Sequence, residues 1–440
     1  MPSGITCFDP VQRRFLSGPP QPDHIPVPSL DGVLSTHDAD LAWAAEDFGR
    51  VVRHRPLAVA RPGSLRDVCA IQRFAHQHAI PVVPRAEGHS TGGQAQTPDG
   101  MVLDMRGFDT VGPVAADHVT VEAGARWSDV LTATLAHGLT PPVLTDYLEL
   151  SVGGTLSVGG LGGTSRHHGA HTDNVLQLDV VTPDGSHRTC SPTVEPALFD
   201  AVRAGRGRHG VIVRATLRLI PAHTHARRHI LRYNRLSDLL ADQRRLASDR
   251  RVDYLEGKVK PDDSGTWTYQ LEATTYFTPP SIPDSPRLLE GLGHITGGDT
   301  VTDTGYRDFL DRMADDVALL RTLGPWQHPH PWSNTLLADH TAEELITRTL
   351  SELDRQSLGS TGLALVYPIL RTRLATPLLK VPDTPIVFLF SVLRTADSPD
   401  TLTGMVEHNH RIHDRVTASG GATYLDPIPD TEQSPTTSIP

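Results

Sequence analysis

Length and composition describe an ordinary globular chain of more than one domain. The 440 residues suffice for two or three domains. A hydrophobic fraction of 38%, a charged fraction of 21% and a mean hydropathy of −0.25 exclude a disordered or fibrous protein. Lys and Arg number 40 against 51 Asp and Glu, and the net charge of −11 argues against a general nucleic-acid binder.

The cysteines and the apolar segments indicate a protein that needs neither an oxidising compartment nor a membrane. Cys7, Cys69 and Cys190 are an odd number set far apart, so no disulfide framework or CxxC metal site can be drawn. The N-terminus lacks a basic start followed by an apolar run, and the most apolar stretch, 385–393, is too short to cross a bilayer. We therefore expect a cytoplasmic protein.

The regular elements are expected to begin after a loop-rich arm. Residues 1–40 contain PP, PVP and SLDG, which predict little regular structure. Beyond them, apolar periodicity predicts in chain order a helix over LRDVCAIQRFAHQHA with Ser64 as N-cap, strands over IPVVP, MVLDM and VTVEAGA, a helix over WSDVLTATLAHG, a strand over VLQLDVVTPDGS, a helix over LFDAVRAG and a strand over VIVRATLRLI.

Glycines crowd residues 153–163, GGTLSVGGLGG. Each glycine gives up packing and adds entropy to the unfolded chain, so such a run indicates backbone lying close against something. A bound ligand is the natural candidate, and a mobile loop is the alternative.

Composition changes near Pro221, where we place a domain boundary. Beyond it the glycine density falls and the elements lengthen. One helix is predicted over RDFLDRMADDVALLRTLG, and another over TLTGMVEHNHRIHDRV that ends at Gly420 and Gly421. Residues 426–440 have the composition of a disordered tail.

Two patterns point to cofactors or metals but lack the necessary context. Residues 205–210, GRGRHG, satisfy G-x-G-x-x-G, yet a helical pattern precedes them and a strand follows, the reverse of a dinucleotide site. Histidines cluster at 167–171, 223–229 and 408–413, but not at helical ligand spacing with a carboxylate in reach. We expect no metal site, and surface histidines in these clusters.

Two acids are candidates for general acid-base work. Asp146 lies just before the glycine-rich segment, and Glu256 lies in VDYLEGKV of the second unit. A carboxylate that leads into a ligand-cradling loop is suited to act as a base. Each acid taken alone would most often be a solvated residue at a strand edge or turn.

The motifs taken together resemble the flavin-binding domain of the vanillyl-alcohol-oxidase (PCMH-type) superfamily, and within it the cytokinin dehydrogenases. In the first unit they are PVVPRAEGHSTGGQ, WSDVLTATLAHGL, LTDYLELSVGGTLSVGGLGG, HGAHTDNVLQLDVVTPDG, CSPTVEPALFDAVRAG and HGVIVRATLRLIPA. In the second they are VDYLEGKV, LEATTYF, FLDRM, GPWQHPHPWSNTLL and VYPILRTR. The likeness spans roughly 45–425, and the shared order makes it specific.

The resemblance implies an α+β fold of two domains. Residues 41–222, with 402–440 returning to them, would form the PCMH-type FAD-binding domain. Residues 223–401 would form a substrate domain with an antiparallel sheet and flanking helices.

The resemblance also assigns roles to individual residues. Asp146 matches the substrate-amine base, and Glu256 an acid at the substrate channel. Trp332 and Asn334 match pocket residues. FAD would be held by Gly88, His89, Ser90, Gln94, Thr145, Gly153, Gly154, Ser157, Gly160, Gly163 and Val213, with the flavin attached covalently to His89 of the GHS motif.

The implied reaction is dehydrogenation of a C–N bond in an allylic secondary amine, with oxygen or another acceptor reoxidising the flavin. Some residues depart from the family pattern. Glu87 stands where the family has Arg, Val158 where it has Asn, and residues 206–209 differ as well. An oxidase of an alcohol or amine intermediate in a biosynthetic pathway is therefore an alternative. A flavin-holding protein without turnover is another, from a different class.

Overall fold

The structure is a computed structural model that describes residues 4–359 and 361–425. Its strands are β1 (Ile5–Asp9), β2 (Arg14–Ser17), β3 (Ile25–Pro26), β4 (Val33–Ser35), β5 (Ala58–Arg61), β6 (Val82–Arg85), β7 (Met101–Asp104), β8 (Val111–Val114), β9 (His118–Glu122), β10 (Leu139–Thr140), β11 (Val175–Val181), β12 (His187–Cys190), β13 (Val211–Arg218), β14 (Ile220–Pro221), β15 (His225–Tyr233), β16 (Tyr254–Pro261), β17 (Trp267–Phe277), β18 (Thr300–Gly305), β19 (Ser333–Ala338), β20 (Leu363–Leu370), β21 (Ile386–Leu393) and β22 (Ala422–Thr423).

Helices lie between and on these strands. They are α1 (Asp38–Ala44), α2 (Leu65–Gln77), α3 (Trp127–Leu135), α4 (Val152–Val158), α5 (Ser165–His168), α6 (Pro196–Val202), α7 (Leu236–Ser248), α8 (Ser285–Leu289), α9 (Tyr306–Leu310), α10 (Met313–Leu323), α11 (Asp339–Ser351), α12 (Arg355–Leu358) and α13 (Pro399–Ala418). Short 3-10 turns lie at Met105–Gly107, His171–Asn174, Pro325–Gln327 and Arg371–Arg373.

Two sheets build the first half of the chain. One has the order β4-β5-β7-β6, with β5 and β6 both parallel to β7. The other is antiparallel, with the order β12-β11-β13-β9-β8. The strand β13 alternates as expected, because Ala215 and Leu217 are buried while Arg214 and Arg218 are exposed. The predicted helix α2 is confirmed, and its N-cap Ser64 accepts a hydrogen bond from the backbone of Asp67.

An antiparallel sheet of eight strands dominates the second half. Its order is β18-β15-β17-β16-β20-β21-β19-β22. Side chains alternate along β16, so Leu255 and Val259 enter a core that includes residues of the helices α7 and α11. Tyr254, Glu256 and Lys258 consequently lie on the opposite face, and that face forms one wall of the site described below.

The N-terminal segment is more regular than its composition predicts. The strands β2, β1 and β3 form a small sheet, and β4 joins the parallel sheet. Phe8 and Phe15 of this segment are buried against Phe74 of α2, with the centroids of their rings 6.4 Å from the Phe74 ring. The expectation of little regular structure is wrong because two aromatic side chains bring enough apolar surface to dock the segment.

Two further elements differ from expectation. The single helix predicted over 307–324 is two helices, α9 and α10, with a break at Asp311 and Arg312. The glycine-rich run is not all loop, because 152–158 form the helix α4, capped by Ser151. The order of helix, glycines and strand around 205–210 is confirmed by α6 and β13.

Several histidines predicted to be on the surface are buried. They are His171, His229, His408 and His413. Each has a partner: the first packs against the ring of Trp127, and the others lie within hydrogen-bonding distance of Ser285, Glu352 and Ser333 respectively. A buried imidazole is tolerated where such a neighbour is available, and burial lowers the pKa of all four histidines.

Buried Arg166 ties the two halves of the chain together. It lies in α5, and its guanidinium donates hydrogen bonds to the carbonyl oxygens of Leu246, Asp249 and Val252, which lie around the end of α7 and the loop before β16. Only 1% of this residue is exposed.

The domain boundaries remain a prediction. Helix α13 packs on β19 and β22 of the large sheet, whereas the backbone N–H of Gly160 in the first half donates to the hydroxyl of Tyr424, 2.9 Å away. The expected tail, 426–440, lies outside the described residues. Within the described ranges, no helix has the length and apolarity to cross a membrane, and no three His, Cys, Asp or Glu side chains are grouped to hold a metal ion.

Candidate active site

The loop after β6 carries His89, and hydrogen bonds to a buried carboxylate hold this loop in place. Asp47 is 3% exposed and accepts hydrogen bonds from the hydroxyl of Ser90 at 2.9 Å and the backbone N–H of Gly93 at 2.7 Å. The carbonyl oxygens of Gly88 and Ser90 accept from the backbone of 48–49. The segment 47–49 therefore fixes the loop that carries His89, through one side chain and two backbone hydrogen bonds.

Aromatic rings enclose His89. Its imidazole stacks on Phe48, with centroids 4.0 Å apart, and Tyr147 lies 4.8 Å away. Trp326 and Trp332 lie at 5.9 and 6.3 Å. The predicted pocket residue Trp332 and the predicted flavin-linking residue His89 are thus brought together, although they lie in different halves of the chain.

The imidazole of His89 is held in its neutral form. Burial among these rings, with His330 and Arg321 nearby, lowers its pKa. His330 stacks on the other face of Phe48, at 4.2 Å. A neutral imidazole has a ring nitrogen with a free lone pair, which a covalent bond from that nitrogen requires.

Both predicted acids meet at one tyrosine. The hydroxyl of Tyr254 lies 2.8 Å from Oδ1 of Asp146 and makes a shorter contact with Oε2 of Glu256. Tyr254 and Glu256 are buried, and Asp146 is partly exposed beside Tyr147. The hydroxyl has a single proton, so it cannot donate to both carboxyl groups at once.

Arg312 brings a positive charge to this cluster. Its Nη2 lies 2.8 Å from Oδ1 of Asp146, and its Nε lies 3.1 Å from Oε1 of Glu272. Glu272 is 1% exposed, and Arg228 donates to its other oxygen at 2.7 Å. The guanidinium of Arg312 also lies over the ring of Tyr254, 4.6 Å from its centroid.

The two acids differ in their affinity for a proton. Burial and the charge of Asp146 raise the pKa of Glu256 to about 8. Burial would also raise the pKa of Asp146, but the charges of Arg312 and Lys258 outweigh it and leave that pKa lowered. The two pKa values are therefore shifted in opposite directions, which favours the charge on Asp146 and the proton on Glu256.

The other residues expected to hold FAD are spread along the first half. Thr145 donates to the carbonyl of Tyr147 at 3.0 Å, beside Asp146. Gln94 accepts from the backbone of Gly92 within the His89 loop. Ser157 lies in α4, with its hydroxyl bonded to the carbonyl of Gly153, and Val213 is buried in β13. Their roles toward a cofactor remain predictions.

Close packing of the protein on itself requires most of the glycines of this region. A Cβ on Gly163 would lie 2.4 Å from the ring of Tyr254, and one on Gly160 would lie 2.5 Å from Thr155. At Gly88, with φ of +64°, it would meet the guanidinium of Arg85. Gly153 would meet Ala123, whereas Gly154 is exposed and approaches only Ser151.

Two more predicted or unusual residues flank the site. Asn334 lies on the site-facing side of the large sheet, and its Oδ1 accepts from the hydroxyl of Ser391 at 2.8 Å. Glu87, which departs from the family pattern, accepts from Arg126 at 3.2 Å, and Arg126 also donates to Glu149 at 3.0 Å. The negative charge of Glu87 is therefore shared with a neighbouring cation.

The loop around His89 fits the anionic cofactor that the sequence implies. In a trans peptide the N–H points opposite to the preceding carbonyl. Because the carbonyls of Gly88 and Ser90 face 48–49, the N–H groups of His89 and Thr91 face away, where an anionic oxygen can accept them. Nearby, buried Arg85 has two guanidinium nitrogens without a hydrogen-bond partner among the described residues. Both features suit a diphosphate.

Sequence reasoning missed the residues that complete the acid cluster. Tyr254, Glu272 and Arg312 all lie in the motifs quoted for the resemblance, in VDYLEGKV, LEATTYF and FLDRM. The alternation of Tyr254 with Glu256 could have placed the tyrosine on the same strand face. Nothing in the sequence shows that the helical pattern breaks at Arg312, or that this break lets its side chain contact Asp146 and Glu272.

Comparison with known proteins gives two family matches and relatives that match most of the chain. A family described as FAD binding domain matches 56–191, and one described as cytokinin dehydrogenase 1, FAD and cytokinin binding, matches 259–432. An uncharacterized oxidoreductase, ORF5 in the fasciation locus of Rhodococcoides fascians, is 42% identical over 395 residues, covering 90% of each chain. Cytokinin dehydrogenase 10 of Oryza sativa subsp. japonica is 34% identical over 420 residues, covering 84% of this chain and 76% of the relative.

A solved structure shows the same fold. 6-Hydroxy-D-nicotine oxidase from Arthrobacter nicotinovorans superposes with a TM-score of 0.69 at 20% identity, covering 90% of this chain and 87% of its own. The expected α+β fold, a PCMH-type FAD-binding domain with a substrate domain built on an antiparallel sheet, is confirmed. The chain belongs to the cytokinin dehydrogenase family of FAD-dependent oxidoreductases.

Proposed function

We propose that this enzyme dehydrogenates the C–N bond of an allylic secondary amine of the N6-alkenyl adenine class, with Asp146 as the base. The observation that carries the proposal is the pair of contacts that Oδ1 of Asp146 makes with Tyr254 and Arg312, each at 2.8 Å, next to the aromatic enclosure of His89. The names of the plant relatives, cytokinin dehydrogenases, support the substrate class.

Asp146 is equipped to take the proton of the substrate nitrogen. Its Oδ1 is occupied by Tyr254 and Arg312, and its side chain is 29% exposed, so the other oxygen can face a ligand. When the N–H proton passes to Asp146, the adjacent carbon loses a hydride and the C–N single bond becomes an imine. Water then hydrolyses the imine to an amine and an aldehyde.

FAD, when bound, supplies the acceptor for that hydride. We propose that His89 carries it covalently through a ring nitrogen, and that the N–H groups of the His89 loop and Arg85 bind its diphosphate. No cysteine lies in 141–153, where doubly linked relatives have a second attachment, so a single bond is expected. Oxygen or another small acceptor would reoxidise the flavin.

The enclosure suits a flat heteroaromatic substrate. Trp332, Trp326 and Tyr147 present aromatic faces around His89. A purine would stack on such faces and lose its water there. Asn334 would supply a polar contact at the purine edge, because its amide nitrogen is not used by the bond to Ser391. Residues 41–222 with 402–440 would hold the cofactor, and 223–401 the substrate.

Anaerobic mixing of the purified holoenzyme with isopentenyladenine tests the proposal. We expect the absorbance of the oxidised flavin to fall. Asp146→Asn should keep the flavin but slow its reduction by roughly 10²–10⁴, the usual effect of removing one general base. Asp316→Asn, an exposed carboxylate on α10, is the matched control and should reduce normally.

Two outcomes would contradict the proposal in different ways. Normal reduction in Asp146→Asn would move the base elsewhere, with Glu256 next to be tested. An unchanged spectrum with both isopentenyladenine and zeatin would reject the substrate class. If an extract of pathway intermediates then reduced the flavin, the alternative function, an oxidase of an alcohol or amine intermediate in a biosynthetic pathway, would replace the proposed one.

A further inference from the structure

One arginine stands among three buried or partly buried carboxyl groups. Nη2 of Arg312 lies 2.8 Å from Asp146 and 3.5 Å from Oε2 of Glu256, while its Nε lies 3.1 Å from Glu272. The cation is therefore not shared equally. It is hydrogen-bonded to Asp146 and only in longer contact with Glu256.

The surroundings of Glu256 favour its neutral form on geometric grounds alone. Glu256 and Glu272 are directly opposite each other on the paired strands β16 and β17, and both are 1% exposed. Like charges in such a cross-strand pair repel. Oε1 of Glu256 is buried with no hydrogen-bond partner among the described residues, and so is Oε1 of Glu272, which costs less for a neutral carboxyl than for a carboxylate and favours one neutral member in the pair.

The charge of Glu272 is compensated from its other side. Arg228 on β15 donates to its Oε2 at 2.7 Å, and Nζ of Lys258 on β16 lies 3.5 Å from the same oxygen. Arg312 is thereby not the sole counter-charge of Glu272, and its Nη2 can neutralise Asp146 while its Nε stays beside Glu272. The remaining titratable groups that face the two acids are phenols, whose pKa values burial raises well above the ordinary range: Tyr254, Tyr276 and Tyr367.

Contacts with α9 add to those with the carboxyl groups, because Nη1 of Arg312 donates to the carbonyl oxygen of Phe309 at 3.3 Å. Arg312 lies at the break between α9 and α10. Helix α10 itself packs weakly, because Val317 is its buried residue and the rest of the helix is more exposed. The guanidinium is sandwiched against the rings of Tyr254 and Phe309, each centroid 4.6 Å away. Glu272, the carbonyl of Phe309 and the two rings together set where the charge lies.

We propose that Arg312, anchored by Glu272, is a positioning residue that decides which acid of the pair is charged: it keeps Asp146 ionised and leaves the proton on Glu256. The proposal rests on the proposed function in one respect, the use of Asp146 as base. The lowered pKa of Asp146 and the raised pKa of Glu256 agree with the geometry.

Infrared spectroscopy of the oxidised holoenzyme without substrate tests where the proton lies. At neutral pH, the difference spectrum between the wild type and Glu256→Gln should contain one protonated-carboxyl band. The band should disappear as the pH rises through about 8. In Arg312→Met it should persist to higher pH, because removing a nearby cation raises carboxyl pKa values. Absence of the band in the wild type would overturn the proposal, whatever the substrate is.

The pH dependence of flavin reduction by isopentenyladenine tests the effect on Asp146. Flavin reduction requires the ionised base, so the rate of reduction falls as the pH drops through the pKa of Asp146. This fall is the acidic limb of the pH profile. Arg312→Met should shift this acidic limb upward by roughly 1–3 pH units, the usual effect of losing a paired arginine. Arg312→Lys should keep the limb close to the wild type even if the rate is lower.

The controls separate electrostatics from folding and from substrate choice. Arg307→Met removes an exposed arginine of the neighbouring helix α9 and should shift nothing. An equal loss of rate at every pH in Arg312→Met, without a shift of the limb, would mean a purely structural role and would overturn the proposal. If isopentenyladenine fails to reduce the wild type while the infrared result holds, the proposed substrate is wrong and the role of Arg312 stands.

Discussion

Replacing Gly163 with alanine should displace Tyr254 and loosen the acid pair. The new Cβ would lie 2.4 Å from Cε2 of the tyrosine ring and 2.6 Å from Cδ2 and Cζ. Carbon atoms in contact prefer roughly 3.5–4.0 Å, so the ring must move by about 1 Å or the backbone must retreat. Tyr254 is 3% exposed and packs edge-on against Phe309, with centroids 5.2 Å apart, so the ring has little room to move.

Two measurable effects follow. Overpacking of this kind costs about 1–3 kcal/mol of unfolding free energy. A displacement of about 1 Å also stretches the 2.8 Å bond from Tyr254 to Asp146 beyond hydrogen-bonding distance. We therefore expect both a lower urea midpoint and slower flavin reduction in Gly163→Ala.

Urea unfolding followed by flavin fluorescence, together with stopped-flow reduction, measures the two effects. Gly404→Ala is the matched control, because Gly404 is an exposed residue of α13 with no atom within 4 Å of a Cβ. That change should stabilise the protein by about 0.5–1 kcal/mol. A Gly163→Ala variant with wild-type stability and rate would refute the close packing of this glycine on Tyr254.

Two other predictions concern the His89 loop. Acid-precipitated protein should remain yellow, and His89→Ala should release all flavin to the supernatant; a colourless wild-type pellet would exclude the covalent bond. Asp47→Ala should lower the free energy of unfolding by about 1–3 kcal/mol, because it leaves the partly buried donors of Ser90 and Gly93 without their acceptor. It should also lower the flavin-to-protein ratio, whereas Asp23→Ala, on the partly exposed N-terminal segment, should change neither.

Much of the fold follows from local patterns in the sequence. Helix α2 and the strand β13 could be predicted because their burial follows the helical and strand periods directly. The N-terminal strands could not, since residues 5–35 have weak local preferences and become ordered by docking Phe8 and Phe15 on α2. Tertiary contact decided the outcome there.

The site was predictable where a motif stood next to it and not elsewhere. Asp146 and Glu256 were found from their neighbours in sequence. Arg312 lies 166 residues from Asp146, and its approach depends on an interruption of the helical pattern that periodicity alone treats as continuous. Glu272 needed the register of β16 against β17, which no single strand reveals.

The contact of Arg166 with the second half has a consequence for how such enzymes can be rebuilt. A guanidinium that is 1% exposed finds its acceptors in three backbone carbonyls from 246–252, and no carboxylate takes part in those bonds. Every residue type has a backbone carbonyl, so substitutions within 246–252 would leave the three acceptors in place. A change in the backbone path of this segment would remove them. A chimaera with a substrate domain from another protein must therefore reproduce the path of this loop. Otherwise the buried guanidinium of Arg166 is left without hydrogen-bond acceptors at the junction of the two halves.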